Sequence, residues 1–502
     1  MYMRDKAGRR LDSFDVPESA TYSDMPGVAV AGQAGSIAHI VDETGAPSRQ
    51  FLAGLGKTHP KPLPVKILQP NFIPVAGGDT QGNLLKGIAN QANKYAMGTI
   101  IPTRYPGTGV AQVAADTRRS GSTALCLAAT VVTGTHSDTI TGKTYTQVRD
   151  AAVRLVRESA DQHSVNRGGW GGLRDSTQTN NDATASWQAA QNASLVGAAG
   201  WLLWNVLTPE TKVCVQRMVE WEADRFLDYR VPYWKNLAGV VQSAGDTKSE
   251  EVAWNASILA LAISMMPAHV RAVDWMSRLV EMTLASYSRE ADVSDTVAVN
   301  GASPQDILRG WNANPDSTVV NHGLIHPDYM VSNGTSLLGI AGWSWTAMNS
   351  ATPRCVDRGM KAVYTALATL NFPSPTYNAP GGTIYNPDGT VYLPQGNDWG
   401  TKATYVSVAL FDTLARRFGW DAGAATPAAT WEALHWQQVA DMQARYTDGH
   451  TYADATENSE GIAEEGVAHR VAMALLTHCA PGIRRTNAVP SIVIAQNRKD
   501  IL

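Results

Sequence analysis

The chain has 502 residues, of which 44% are hydrophobic and 17% are charged, and its formal net charge at pH 7 is -4. This composition supports a sizeable folded core and argues against wholesale disorder. The weak negative charge argues against a nucleic-acid partner, and the absence of a run of about 18 apolar residues argues against membrane insertion. Cys126, Cys214, Cys355 and Cys479 are far apart in the sequence, which favours four small core residues over a disulfide or zinc framework. We therefore expect no cofactor and no metal.

Residues 1–75 differ in composition from the rest of the chain. They are rich in Gly, Pro, Ala and Asp and end in the proline-spaced run THPKPLPVKILQPNFIP. This pattern is typical of an attachment arm with extended linkers. Basic residues at the N-terminus are not followed by an apolar segment, so we expect synthesis in the cytoplasm without a classical signal peptide. The predicted domains are an arm at 1–75, a catalytic domain at 76–485 and a C-terminal tail at 486–502.

From residue 82 onward the hydrophobic pattern has helical periodicity. It predicts an all-α domain of twelve helices, at 82–97, 122–134, 145–164, 184–207, 209–230, 249–266, 267–288, 332–348, 353–370, 401–419, 426–446 and 457–478. Several of these helices are apolar nearly all round, whereas their neighbours in the chain are amphipathic. Buried and half-exposed helices in alternation predict an (α/α)6 toroid, incomplete or complete. A two-domain helical bundle and an α-solenoid are the alternatives, although no fixed-period repeat supports a solenoid.

Polar and aromatic residues precede four of the predicted buried helices. If the inner helices run parallel, these segments meet at one mouth, where unpaired N–H groups face an anionic ligand. For each segment alone, helix capping and solvation are a sufficient explanation, but the four together favour a glycan-binding cleft. The 15 Trp against 7 Phe also favour either helix packing or sugar stacking. The predicted cleft residues are Trp170, Arg174, Asp175, Asn181, Asp246, Lys248, Glu250, Glu251, Asn255, Asn321, His322, His326, Asp328, Tyr329, Tyr392, Gln395, Asn397, Asp398, Trp399 and Lys402.

The stretch Asn321-His322-Gly323 resembles the NNH or NNHG element of the alginate-lyase and heparinase-like polysaccharide lyases, although Val320 stands where those families carry a second Asn. The resemblance implies β-elimination of a uronate-containing chain. In it the Asn neutralises the uronate carboxylate, the His acts as base or proton-positioning group, and a tyrosine acts as acid or base. The candidates for that phenol are Tyr329, Tyr385, Tyr392 and Tyr405. Amide and imidazolium donors are what abstraction of a proton next to a carboxylate requires.

One other catalytic mechanism stays open. An inverting glycoside hydrolase on the same toroid needs two carboxylates about 6.5–9.5 Å apart, for which Asp175, Glu250, Glu251, Asp328 and Asp398 are candidates. Metal binding by His322, His326 and Asp328 is disfavoured, because Gly323 and Pro327 oppose the helix that the i, i+4 spacing would need. The acid-rich final helix with Glu457, Glu460, Glu464 and Glu465 is interpreted as a solvated or cap-biased face.

The opening RDKAGRRLDSFDVP is similar to leaders of minor tail proteins in phages of actinobacteria. This resemblance implies a virion-tail or extracellular location, with partner tail proteins bound through residues 1–75. It also keeps open a non-catalytic glycan-binding adhesin. The preferred reading is an enzyme that cleaves a cell-envelope or capsular glycan, with elimination ahead of hydrolysis.

Overall fold

A computed structural model describes residues 65–107, 116–172, 188–227 and 229–488 of the protein. It also describes two paired N-terminal strands, β1 (Met3–Arg4) and β2 (Arg10–Leu11). The other residues of the predicted arm, up to residue 64, lie outside these ranges, as does most of the predicted tail.

The described residues contain a helix at each of the twelve predicted positions. They are α1 (Thr80–Tyr95), α2 (Thr117–Val132), α3 (Tyr145–Asp161), α4 (Ala189–Leu202), α5 (Pro209–Asp224), α6 (Ser249–Met265), α7 (Ala272–Ser286), α8 (Leu337–Ala341), α9 (Met360–Thr369), α10 (Thr404–Phe418), α11 (Ala428–Gln443) and α12 (Ala463–Cys479). The ends differ from the predicted ones by several residues in places, as capping and fraying make usual. None of these helices is long and apolar enough to cross a membrane.

The even-numbered helices form a closed inner ring. Each of α2, α4, α6, α8, α10 and α12 contacts the next one in the series, and α12 contacts α2. The helices α1, α3, α5, α7 and α11 lie outside the ring, each packed against an inner helix adjacent to it in the chain. This confirms the predicted (α/α)6 toroid, because neither an open solenoid nor two separate bundles would bring α12 back to α2.

Burial follows the predicted alternation. All seventeen residues of α6 are buried, whereas the outer helix α3 buries the face that carries Val148, Ala152, Leu155 and Val156. The predicted helix at 332–348 is the exception, because it is broken into α8 and a separate turn, Ser344–Ala347. A Cβ added at Gly339 would lie 2.7 Å from the carbonyl oxygen of Gly334, so this segment packs more tightly than a regular helix of larger residues allows.

The six C-terminal strands are all two residues long. They pair as β3 (Lys235–Asn236) with β4 (Gly310–Trp311), β5 (Val320–Asn321) with β6 (Leu324–Ile325), and β7 (Thr352–Pro353) with β8 (Arg485–Thr486). The first two pairs are antiparallel, and β7 and β8 are parallel, which ties the start of the C-terminal segment to the helical domain.

Residues 65–75 lie against the toroid. The side chain of Ile67 is only 3% exposed, and Trp201 Nε1 donates a hydrogen bond to the Leu68 carbonyl oxygen at 2.7 Å. The Gln69 side-chain amide donates to the Leu202 carbonyl oxygen at 2.8 Å. The predicted domain boundary at residue 75 stays a prediction, and these contacts define which residues a test of it must retain.

Candidate functional site

The described segments that lead into α6, α8, α10 and α12, together with the start of α2, meet at one end of the ring. Hydrogen bonds connect neighbouring segments at four places around this end. They are Arg119 Nε to the Gly461 oxygen at 2.9 Å, Ser459 Oγ to the Asp398 oxygen at 3.0 Å, Ile325 N to Gln395 Oε1 at 2.6 Å, and Thr247 N to the Val320 oxygen at 2.9 Å. These segments precede helices α12, α10, α8 and α6 or begin α2, so three of the four predicted segments lie together at one end of the ring. The fourth predicted segment, before α4, lies at 173–187, outside the described residues.

The segment that carries Asn321 and His322 is a β-hairpin. Asn321 pairs with Leu324, and the two residues between them, His322 and Gly323, have φ angles of 53° and 78°. Positive φ at both central positions is the signature of a type I′ turn, in which Gly is favoured and His is tolerated. The Asn-His-Gly element is therefore a hairpin turn rather than the head of a helix, and it projects His322 into the mouth.

Asn321 connects two carboxylates of the α6 segment. Its Nδ2 donates to Glu250 Oε1 at 2.6 Å and to Asp246 Oδ1 at 3.5 Å, so these two oxygens lie within about 6 Å of each other. Glu250 is 3% exposed, and its Oε2 has no hydrogen-bond partner among the described residues. Burial and then the negative charge of Asp246 raise the pKa of Glu250 to about 8. Glu250 is consequently protonated at neutral pH, next to the carboxylate of Asp246.

Lys248 compensates part of this negative charge. Its Nζ lies 2.6 Å from Asp246 Oδ2 and 3.1 Å from Glu251 Oε2. Burial opposes the ammonium form, but the negative charges of Glu251 and Asp246 outweigh it and raise the pKa of Lys248. Lys248 itself has a φ of 54°, a left-handed conformation that starts α6 at the next residue.

Two histidines converge on Asp398. His322 Nδ1 lies 2.5 Å from Asp398 Oδ2, and His326 Nε2 lies 2.9 Å from Asp398 Oδ1. Burial acts to raise the pKa of Asp398, but the hydrogen bonds from His326 and His322 outweigh it and lower the pKa. The Tyr329 hydroxyl lies 3.4 Å from His322 Nε2, and burial together with the charge of Glu250 raises the pKa of Tyr329. The result is a chain of proton-carrying groups from Tyr329 through His322 to Asp398.

One nitrogen or oxygen atom from each of His322, His326 and Asp398 lies within 4.8 Å of the other two, so these residues form a set of potential metal ligands. The sequence disfavoured metal binding by these histidines because their i, i+4 spacing would need a helix, which Gly323 and Pro327 oppose. In the structure the hairpin turn, not a helix, brings His322 over His326, and Asp398 supplies the carboxylate in place of the predicted Asp328. Asp328 instead accepts hydrogen bonds from Asn397 Nδ2 at 2.6 Å and Thr404 Oγ1 at 2.7 Å.

The remaining predicted residues of the α10 segment mostly fix the mouth in place. Gln395 accepts the Ile325 N–H, as described above, and Lys402 donates to Glu457 Oε1 at 2.6 Å. The Trp399 ring is partly exposed and lies 5.6 Å, centre to centre, from the His322 ring, which makes it the best-placed aromatic surface for a sugar at this mouth.

Three predicted cleft residues pack inside the protein instead. Trp170 is 6% exposed and its Nε1 donates to the Ser159 oxygen at 2.8 Å. Asn255 is 2% exposed and donates to the Tyr229 hydroxyl at 3.3 Å, and the Tyr392 hydroxyl donates to the Asn378 carbonyl oxygen. Their hydrogen bonds within the protein explain their polarity without a ligand. Arg174, Asp175 and Asn181 lie outside the described residues.

The acid-rich segment runs into the first turn of α12, where Glu464 and Glu465 lie, as the interpretation of a cap-biased face predicts. The solvated alternative is wrong, because these carboxylates are hydrogen-bonded or buried within the protein. Glu464 Oε1 accepts the backbone N–H groups of Thr451 at 2.8 Å and Tyr452 at 2.9 Å, and Glu465 is 4% exposed. The hydrogen bond from Arg445 is the largest of the effects that lower the pKa of Glu457 to about 2.

Two arginines near the mouth were missed by the sequence reasoning. Arg118 NH1 lies 3.3 Å from Gln188 Oε1, and Arg470 Nε donates to Ser407 Oγ at 2.8 Å. Burial and, in part, the positive charge of Arg470 lower the pKa of Arg118. A cation in the first turn of a helix opposes the helix dipole, and Arg118 in the first turn of α2 was therefore a signal that the sequence offered.

A cavity of about 1120 Å³ lies at the opposite end of the ring, beside the end of α10. Its lining includes Phe418, Trp420, Arg358 and Arg485. Arg358 pairs with Asp295 and Arg485 pairs with Asp357, so these charges satisfy one another. The proton-carrying groups described above all lie at the mouth and not in this cavity.

Neither a family model nor a curated protein matches the chain. Among solved structures, the chain is similar to an alpha-1,6-mannanase of Salegentibacter sp., determined as an inactive variant in complex with alpha-1,6-mannotriose. The match has 10% sequence identity and a TM-score of 0.39, and it covers 79% of this chain and 99% of that chain. The assignment of the toroid rests on the closed ring of helix contacts described above.

Proposed function

We propose that the mouth hydrolyses a glycosidic bond of a polysaccharide, with Glu250 as the general acid and Asp246 as the partner carboxylate. The observation that carries this proposal is the buried carboxyl group of Glu250, joined through Asn321 to the partly exposed carboxylate of Asp246. Burial and the charge of Asp246 raise the pKa of Glu250 to about 8, which favours its protonated form at neutral pH. Glycoside hydrolysis requires one carboxyl group that is neutral at working pH and one that is ionised, and different environments in one site produce that division.

Asn321 is poorly suited to the lyase role that its motif implies. Its side-chain nitrogen already contacts Glu250 and Asp246, and it is 5% exposed. A uronate carboxylate next to Asn321 would meet the negative charge of Asp246, with Glu251 and Asp398 also at the mouth. We therefore infer a substrate with little charge at the cleavage point and a positioning role for Asn321, which holds the two carboxylates.

The carboxylate spacing supports retention of anomeric configuration. Because Asn321 Nδ2 contacts one oxygen of Asp246 and one of Glu250, these two oxygens are at most about 6 Å apart. This upper limit fits the ~5–5.5 Å between the carboxyl groups of retaining enzymes better than the ~6.5–9.5 Å of inverting ones. In this mechanism Glu250 protonates the glycosidic oxygen while Asp246 attacks the anomeric carbon. Water then releases the sugar from Asp246, and its proton returns to Glu250.

Elimination is the second candidate, and the Tyr329–His322–Asp398 chain is the observation that favours it. The phenol of Tyr329 is within reach of His322 Nε2, and Asp398 orients the imidazole from the other side. If this chain abstracts a proton from a uronate, the product contains a carbon–carbon double bond.

The test is incubation of the protein with host cell-envelope polysaccharides while reducing ends and ultraviolet absorbance are both followed. Hydrolysis predicts new reducing ends without absorbance, and the first product released should have the anomeric configuration of the substrate. Absorbance that rises with the reducing ends would establish elimination instead. Binding without either signal would establish an adhesin. A virion-tail location and tail-protein partners for residues 1–75 remain predictions from the leader sequence.

A further inference from the structure

We propose that His322, His326 and Asp398 bind one divalent transition-metal ion, for which Zn²⁺ is the best match. Two imidazole nitrogens and one carboxylate form a common zinc ligand set, whereas Mg²⁺ and Ca²⁺ prefer oxygen ligands throughout. This inference goes beyond the proposed glycan cleavage and does not rest on it.

The convergence of two imidazoles is what distinguishes this cluster. Other histidine–carboxylate pairs in the described part of the chain, such as His450 with Asp448 and His435 with Asp412, bring a single imidazole to the carboxylate. At Asp398, His322 Nδ1 and His326 Nε2 approach different oxygens of the same carboxylate. Two imidazoles and one carboxylate therefore offer three potential ligand atoms that lie close together.

The two histidines differ in burial, and therefore in how freely their side chains can move. His326 is completely buried, whereas the side chain of His322 is 42% exposed at the tip of the β5–β6 hairpin. Tetrahedral zinc with bonds of about 2.0–2.1 Å needs ligand atoms about 3.3 Å apart. The present separations extend to as much as 4.8 Å, so a shift of His322 by rotation of its exposed side chain suffices to close the site.

The surroundings supply an orienting group and leave coordination positions open. The Tyr329 hydroxyl, 3.4 Å from His322 Nε2, can accept the N–H of a His322 that ligates through Nδ1. Three protein ligands leave a fourth position for water, which is the pattern of an open zinc site. The ion would join the β5–β6 hairpin to the segment before α10, and so hold the wall of the mouth that carries Asn321.

The test uses the full chain without an affinity histidine tag, stripped of metal with a chelator and titrated with Zn²⁺ in a calorimeter. We expect saturable binding of one Zn²⁺ per chain, a higher melting temperature with Zn²⁺, and no such effect with Mg²⁺. His322→Asn and Asp398→Asn should each weaken binding by about 10-fold or more, the scale of losing a group that a metal site depends on. Asn suits the positive φ of residue 322, so the first variant removes the imidazole without straining the turn.

His450→Gln is the matched control, because it removes an imidazole from a histidine–aspartate pair that lacks a second histidine. It should bind Zn²⁺ as the unaltered protein does. Absence of saturable binding, or equal Zn²⁺ affinity in folded His322→Asn and Asp398→Asn, would overturn the proposal. Glu250→Gln distinguishes the zinc proposal from the glycan-cleavage proposal. If this variant loses turnover but binds Zn²⁺ with unchanged affinity, the result bears on the cleavage mechanism alone.

Discussion

Replacing Glu250 by Gln should stabilise the protein at neutral pH and, at the same time, strongly slow glycan cleavage. Glu250 is buried, and burial and the charge of Asp246 raise its pKa from 4.5 to about 8. Between these two values the unfolded chain ionises Glu250 while the folded protein keeps it protonated. Stability from this group is therefore fully present below pH 4.5 and is lost progressively as the pH rises toward 8.

The expected change in the free energy of unfolding follows from the pKa shift of Glu250. Each pH unit above 4.5 costs about 1.4 kcal/mol until the folded state also ionises, or about 3 kcal/mol at pH 7. Glutamine cannot ionise and keeps the oxygen that accepts from Asn321 Nδ2. Glu250→Gln should thus raise the free energy of unfolding by a few kcal/mol at pH 7 and change it little at pH 4. Loss of the general acid should lower turnover by about 10²- to 10⁴-fold.

Urea unfolding of both proteins at pH 4, 5.5 and 7 measures the stability difference, and reducing-end release measures turnover. Glu251→Gln is the matched control on the same helical turn, because Glu251 pairs with Lys248 and its loss should give no gain that grows with pH. In the unaltered protein, turnover should fall as the pH rises through about 8 and Glu250 loses its proton. A folded Glu250→Gln variant with full turnover, or with a stability difference independent of pH, would refute the reasoning.

Three further predictions concern the hairpin, the phenol and the N-terminal boundary. Tyr329→Phe should leave hydrolysis within about tenfold of normal, whereas an elimination through this phenol would fall by at least about 10²-fold, as product analysis would show. Gly323→Ala places a Cβ at a φ of 78° and should destabilise the protein by about 1–2 kcal/mol in urea unfolding, with Gly323→Asn closer to normal. A chain that starts at residue 65 should keep its melting temperature and activity. One that starts at residue 77 should melt at a lower temperature, because Trp201 Nε1 loses its bond to Leu68; equal melting temperatures would contradict this.

The helical architecture could be predicted because its signals are local. Helical periodicity located the twelve helices numbered above, and the contrast between the largely apolar α6 and the amphipathic α3 identified inner and outer positions. The polar segments before α6, α8 and α10 could be grouped at one mouth by the same reasoning, since parallel inner helices must begin at the same end. The prediction of one continuous helix at 332–348 was wrong, because the small residues of this segment allow a broken helix and close packing.

The chemistry of the site depended on contacts that no local pattern encodes. Asn321 and Glu250 are 71 residues apart in the chain, and His322 and Asp398 are 76 apart, so only ring closure brings them within hydrogen-bond distance. The pKa of Glu250 depends on burial and on the charge of Asp246, both of which are properties of the folded protein. Likewise, the sequence showed His322 and His326 four residues apart, but the type I′ turn and the placement of Asp398 decided that the two imidazoles meet one carboxylate. The positions of the helices follow from short-range sequence patterns. The protonation state of Glu250 and the arrangement of His322, His326 and Asp398 depend instead on which distant groups the fold brings together and shields from water.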